Sequence, residues 1–187
     1  MRINNLPGMG ILCAAAAIGI CLSFPASAAT LQVTHSPGAG QYGSVNDALA
    51  VATDNDVIEI IDNSAPFVES VVVDGTTLSK NNLILRGQAG LDPKPIIQGP
   101  SSPESTVWDL GMTMVFSYGG ANVDNLQVAN IRFEANGAGT CVDARFWNGA
   151  TFDNCELIGG IFNSVRSQVA STLSNCYLEG SYNVIEH

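Results

Sequence analysis

Short apolar runs separated by polar turn residues occupy most of the chain. Residues 57–61, 71–73, 83–85 and 96–97 are rich in Val, Ile and Leu, and each run is bounded by Asp, Asn, Gly or Pro. Such runs are typical of short β-strands, because β-branched residues favour extended backbone and the bounding residues favour turns. The pattern therefore predicts an all-β fold made of many short strands.

One helical pattern interrupts the strands, at residues 44–53. Ser44 and Asp47 resemble a capping box in which Asp47 takes the N3 place. The apolar residues that follow have helical spacing: Val45, Ala48, Leu49 and Ala52. We expect this helix to cap the N-terminal end of the strands, where backbone and apolar side chains would otherwise be exposed.

Three segments of the second half align without a gap: residues 126–134, 150–158 and 171–179. Each carries an asparagine two residues after an apolar position, and these asparagines, 24 and then 21 residues apart, are Asn130, Asn154 and Asn175. Asn82 lies 48 residues before Asn130 and gives a weaker match, with Lys80 in the apolar place. The segments therefore indicate an internal repeat.

A period of this length with short strands predicts a parallel β-solenoid, in which equivalent positions of successive coils stack. We expect two buried columns, one of Val128, Phe152 and Leu173 and another of Phe133, Leu157 and Leu178. Asparagine suits the bends between strands because it tolerates left-handed backbone and can hydrogen-bond to the asparagine of the next coil. The alternative is an antiparallel sandwich whose short strands have this spacing by coincidence.

The first residues resemble a secretory signal peptide. Arg2 precedes an apolar run over residues 9–24, and Ala26-Ser27-Ala28 provides small residues for cleavage after Ala28. The predicted organisation is a signal peptide (1–28), an N-terminal strand and capping helix (29–56), and β-coils (57–187). Because residues 184–187 read as the start of a strand, we expect a fragment of a longer protein. The predicted location is secreted or at the cell surface.

Charge and residue counts exclude several classes of function. The 187 residues contain 7 basic and 17 acidic side chains, a net charge of −10, which argues against a nucleic-acid partner. The two histidines, His35 and His187, are too few for a multi-histidine metal site, and we expect no metal and no cofactor. After signal cleavage we expect no membrane span. The oligomeric state stays open.

Three cysteines remain after the signal segment: Cys141, Cys155 and Cys176. An odd number leaves at least one thiol without a partner in the chain. Stacked Cys155 and Cys176 side chains would lack the torsion that a disulfide requires, so we expect buried, unbridged thiols.

Several of these segments resemble pectin methylesterases. Residues 130–134 (NIRFE), 142–145 (VDAR), 152–159 (FDNCELIG) and 175–180 (NCYLEG) are similar to successive blocks of that family. Residues 42–49 (YGSVNDAL) and 67–73 (FVESVVV) are similar to earlier blocks. The resemblance covers most of residues 41–183 and implies a right-handed parallel β-helix of the pectin-lyase-like class.

The catalytic positions of the family are not matched. Those enzymes use one aspartate as nucleophile, a second as acid/base, and glutamines that hold the oxyanion. On the resemblance the glutamine positions fall on Thr140 and Ile161, the acid/base on Phe162 and the nucleophile on Asn183. Phenylalanine transfers no proton and an amide is a poor nucleophile. The family's arginine would lie beyond residue 187.

Two other carboxylates near the repeat, Asp143 and Asp153, are the weak alternatives for a catalytic pair. Exposed tryptophans can stack on sugars, but we expect Trp108 and Trp147 to be half-buried packing residues, with sugar stacking as the alternative. Two functions stay open. The first is a non-catalytic or degenerate polysaccharide-associated module. The alternative is an active esterase or lyase on uronate polysaccharides that uses residues not identified here or beyond the chain end.

Overall fold

A computed structural model describes residues 27–73, 75, 77–99, 114–116, 123–136, 141–143, 149–159, 163–166, 172–180 and 183–186. The predicted signal segment lies outside these residues except for its last two positions, Ser27 and Ala28. The described residues form one helix, α1 (Val45–Val51), and otherwise strands and turns. No helix among them is long and apolar enough to cross a membrane.

The strands are short, as the sequence predicts. In chain order they are β1 (Thr30–Val33), β2 (Gln41–Tyr42), β3 (Val57–Ile60), β4 (Phe67–Val68), β5 (Val71–Val73), β6 (Ile84–Gly87), β7 (Ile96–Gln98), β8 (Met114–Phe116), β9 (Gln127–Ala129), β10 (Arg132–Ala135), β11 (Val142–Asp143), β12 (Thr151–Asp153), β13 (Glu156–Gly159), β14 (Asn163–Arg166), β15 (Thr172–Ser174), β16 (Tyr177–Glu179) and β17 (Asn183–Glu186).

These strands form three parallel sheets. The first has the order β15-β12-β9-β6-β3-β1-β2, the second β16-β13-β10-β7-β4, and the third β17-β14-β11-β8-β5. From β3 onward, each successive group of three strands adds one strand to each sheet. All described strand pairs are parallel, so the antiparallel sandwich is wrong and the all-β prediction is confirmed.

Strand register confirms both predicted apolar columns. In the first sheet Phe152 pairs with Val128 on one side and with Leu173 on the other. The second sheet aligns the corresponding column in the same way: Phe133, Leu157 and Leu178. The middle residues are fully buried, whereas Leu173 and Leu178 are half-buried because β15 and β16 have a described neighbour on one side only.

Helix α1 begins where the capping pattern predicts. The Ser44 Oγ accepts a hydrogen bond of 3.0 Å from the Asp47 amide, and the helix ends at Val51, two residues before the predicted end. Its buried face, which includes Ala48 and Leu49, packs against β1, β2, β3 and β5. This contact removes the apolar stripe of the helix from water. A helix this short is not stable through its backbone hydrogen bonds alone, so the packing contact stabilises it.

A carboxylate from another segment completes the cap. Glu69 follows β4 and accepts hydrogen bonds from the amides of Val45 (2.8 Å) and Asn46 (3.0 Å). Glu69 is half-buried, and burial raises its pKa despite these two bonds. Glu69 therefore ties the helix to the corner between the second and third sheets.

Asparagines occupy the bends between first-sheet and second-sheet strands. Asn130, Asn154 and Asn175 have φ angles of 56°, 50° and 53°, the left-handed conformation that the sequence predicts. The Asn154 Nδ2 donates to the Asn130 Oδ1 at 2.8 Å, while the Asn175 Nδ2 donates to the Asp153 Oδ1 at 3.0 Å. The expected ladder thus forms between two of the three asparagines, and Asp153 takes over at the third.

The predicted equivalence of Asn82 with Asn130 is wrong. Asn82 precedes β6, donates its Nδ2 to the Asn55 Oδ1 and accepts at its Oδ1 from Asn125, so these three form a separate ladder before the first-sheet strands. Asn82 and Asn125 of this ladder share the pattern Asn-apolar-x-apolar with Asn130 and Asn154, because each of these left-handed bends is followed by an apolar residue that points into the core. One short pattern therefore describes two different corners.

Cys155 and Cys176 are free thiols, as expected, and the Cys141 thiol donates to the Phe133 carbonyl oxygen at 3.4 Å. Cys141 and Cys155 are buried, but Cys176 is half-buried, since it lies beside β16. Burial raises the pKa of Cys155 to about 12, which leaves it protonated and unreactive at neutral pH.

Truncation of the central column should destabilise the protein strongly. Phe152→Ala removes a fully buried ring with core residues on both sides and should lower the free energy of unfolding by about 3–5 kcal/mol. Leu173→Ala, at the half-buried end of the same column, is the matched control and should cost clearly less. Urea unfolding followed by circular dichroism measures both; equal losses would contradict the observed burial.

Candidate functional site

Of the four positions that the resemblance aligns with catalytic residues, one lies among the residues that the structure describes. Thr140, Ile161 and Phe162 lie outside the described residues. Asn183 begins β17 in the third sheet and pairs by register with Asn163 of β14. Asn183, which the resemblance to pectin methylesterases aligns with the nucleophile, thus lies on a strand of the third sheet, beside a second asparagine position.

The two alternative aspartates lie in different sheets. Asp143 ends β11 in the third sheet, where its register partner is Arg166. Asp153 ends β12 in the first sheet, and its carboxylate accepts from Ser174 Oγ (2.7 Å) and Asn175 Nδ2 (3.0 Å). These bonds, the one from Ser174 first, lower the pKa of Asp153. The structure therefore holds Asp153 as an ionised corner residue and does not bring it onto one sheet with Asp143.

The second sheet presents a polar outer surface. Strand alternation turns Ile97, Phe133 and Leu157 into the core and leaves their neighbours outside. We call the polar and charged side chains of this surface the polar face; its members are Lys94, Gln98, Arg132, Glu134, Glu156, Tyr177 and Glu179, and the half-buried Ile96 and Ile158 lie among them.

Ion pairs fix the middle of the polar face. The Arg132 Nε lies 2.6 Å from a Glu134 oxygen, and its Nη1 lies 3.4 Å from Glu156. The Lys94 Nζ lies 2.9 Å from the other Glu156 oxygen, and the Gln98 Nε2 donates to Glu134 at 3.0 Å. Networks of this kind hold long side chains in place better than isolated surface pairs.

An exposed ring lies next to this network. Tyr177 is 57% exposed and occupies the register position beside Glu156. Its hydroxyl donates to the Glu179 carboxylate at 3.1 Å, and this hydrogen bond raises the pKa of Tyr177. A ring held at its polar end, with its faces exposed, offers a flat apolar surface beside hydrogen-bonding groups.

The neighbouring cations determine the protonation state of Glu156. The hydrogen bond from Lys94, together with the charges of Lys94 and Arg132, lowers the pKa of Glu156, so this carboxylate is ionised and has no proton to donate as a general acid. Within the described ranges, no group of three or more His, Cys, Asp or Glu side chains could hold a metal ion.

Sequence reasoning missed the polar face. Trp108 and Trp147, which it weighed as sugar-stacking residues, lie outside the described residues, and Tyr177 was treated only as part of a motif. The signal was present, because Arg132 and Glu156 occupy the same place in two aligned segments 24 residues apart. Stacking those segments already puts opposite charges side by side.

Removal of the Lys94 charge should change the titration of Glu156. The pKa of Glu156 in Lys94→Met should rise toward its ordinary value, whereas Lys94→Arg should keep it low. A lowered pKa contributes stability above the ordinary glutamate pKa, and that stability is lost as pH falls through the folded-state value. Carbon-detected NMR titration measures the shift, and an unchanged pKa in Lys94→Met would contradict the ion pair.

Comparison of the chain with protein-family models, curated proteins and solved structures gave no match.

Proposed function

We propose that the protein is a secreted right-handed parallel β-helix that binds polysaccharide through its polar face without cleaving or de-esterifying it. The observation that carries the proposal is the exposed ring of Tyr177 beside the ordered side chains of Glu156 and Arg132. The location outside the cytoplasm rests on the signal-like pattern of residues 1–28.

Three features support the β-helix. Successive groups of three strands each add one strand to every sheet, neighbouring groups pair in parallel, and left-handed asparagines occupy the bends. Stacked coils of one chain would produce these features together. The resemblance of residues 130–134 and 175–180 to pectin methylesterases leads to the same fold.

A flat face made of several strands suits a polymeric ligand. Equivalent side chains on neighbouring strands lie one strand spacing apart, about 4.7–4.9 Å, so the face offers binding groups in successive rows. The C–H face of a sugar ring packs on an aromatic ring, and its hydroxyls can donate to Glu134 and Glu156 or accept from Gln98. Because ion pairs already hold the charged side chains, little conformational entropy is lost on binding.

Catalysis is disfavoured by the residues at the family's positions. An esterase mechanism of the resembled kind needs a carboxylate nucleophile and a second carboxyl group, but this chain has Asn183 and Phe162 there. A lyase or esterase that used Asp143 and Asp153 instead would have to draw them from two different sheets. Binding requires neither pair.

Loss of the Tyr177 ring should weaken retention on polysaccharide. Tyr177→Ala should reduce affinity by about 3- to 10-fold, corresponding to about 1 kcal/mol of ring contact, and Tyr177→Phe should stay within about twofold. Val68→Ala is a control, since Val68 is an exposed residue of β4 in the same sheet but remote in sheet order from Tyr177. Affinity gel electrophoresis measures retention; unchanged binding by Tyr177→Ala would contradict the assignment.

The unmodified protein should release no methanol from methylated pectin above a buffer blank. It lacks the covalent path, and general acid–base assistance alone is worth about 10²–10⁴-fold in rate. Asn183→Asp should not restore activity, because Phe162 still cannot protonate the leaving methoxide. Methanol release that is abolished by Asp143→Asn or Asp153→Asn would overturn the binding proposal in favour of the esterase.

A further inference from the structure

We infer that the polar face selects neutral or fully esterified polysaccharides and rejects polyuronates. This inference rests on the proposed binding function and names the class of ligand. It depends on the ion pairs and hydrogen bonds that the described Lys and Arg side chains already make within the protein.

Both cations of the polar face are paired with carboxylates of the protein. Arg132 contacts Glu134 and Glu156, and Lys94 contacts Glu156. A uronate carboxylate that approaches either cation also approaches the glutamates paired with it, Glu134 and Glu156. Repulsion between these like charges offsets the attraction of the cation, so the network offers a polyanion little net gain.

The other basic side chains that the structure describes also have partners within the protein. Arg86, outside the polar face, lies 3.0 Å from Glu59, and Lys80 is 4% exposed with its Nζ directed at the carbonyls of Ala52 and Leu78. Each basic side chain that the structure describes thus already has a carboxylate or a carbonyl partner.

The net negative charge of the chain also disfavours the binding of a polyuronate. The chain carries −10, and the removal of Arg2 with the signal segment would make it more negative. A polymer with one carboxylate on each sugar is therefore repelled over distances of about a Debye length, roughly 10 Å at 0.1 M salt.

A neutral sugar is repelled neither by the glutamates of the polar face nor by the net negative charge of the chain. A hydroxyl can donate to a carboxylate that is already in an ion pair, because an ionised carboxylate has about four acceptor sites. It can also accept from Gln98, and its ring can stack on Tyr177. A methyl-esterified uronate behaves in the same way, because esterification removes its charge.

The test compares three polymers in affinity gels: hydroxyethylcellulose, fully methyl-esterified pectin and polygalacturonate. We expect retention on at least one of the first two and at least about tenfold weaker retention on polygalacturonate at low salt. That difference should narrow as salt rises, because screening weakens repulsion. Equal or stronger binding to polygalacturonate, with or without Ca²⁺, would overturn the inference and leave the binding function standing. Absence of retention on all three would overturn the proposed function itself.

A matched pair of variants separates local pairing from net charge. Glu156→Gln removes one carboxylate from Lys94 and Arg132 and should raise the ratio of polygalacturonate retention to hydroxyethylcellulose retention about three- to tenfold. Glu59→Gln removes the same charge beside Arg86, outside the polar face, and should have little effect. An equal gain in polygalacturonate retention in both variants would contradict the role of the polar face and show that the net charge alone causes the selectivity. Circular dichroism checks folding, and the salt series on unmodified protein tests the inference independently.

Discussion

The rest of the structure depends on one constraint, which is that parallel strands from successive segments pair in register. Phe152 is buried because the register puts Val128 on one side of it and Leu173 on the other. A slip of one residue would turn every inward side chain of that strand toward water. Each segment must therefore offer an apolar residue at the same place, whatever the length of the connections between segments.

The same constraint determines which residues can form the bends. Asn154 turns the chain with a left-handed backbone and bonds to Asn130 in the neighbouring segment. Two glycines replace asparagines in these rows. A Cβ at Gly87 would collide with the Asn130 carbonyl oxygen, and one at Gly149 would lie 2.9 Å from the Asn125 Oδ1. The close approach of neighbouring backbones thus restricts these corners to residues that fit both the φ angle and the space.

On the outside, register produces order of a different kind. Residues that lie 24 positions apart along the chain, such as Arg132 and Glu156, become neighbours, so alternating charges form a continuous network. Both cations of the polar face, Lys94 and Arg132, therefore lie beside carboxylates, and the exposed ring of Tyr177 lies next to them.

Local features of this protein could be predicted from the sequence alone. The strands, the Ser44 cap and the left-handed asparagines depend on residues within a few positions of one another, and the structure has all of them. The inward columns were predictable from the gapless repeat, which aligns equivalent apolar positions 24 and 21 residues apart. Tertiary structure alone decided which corner Asn82 belongs to, because 27 residues separate it from Asn55 and 43 from Asn125, and no fixed period connects such spacings. It also decided that Glu69 caps the helix and that Asp153 braces a corner. Each of those contacts joins residues from different segments of the chain. Only the pairing of strands in three dimensions brings these segments together, and the local sequence pattern does not encode it.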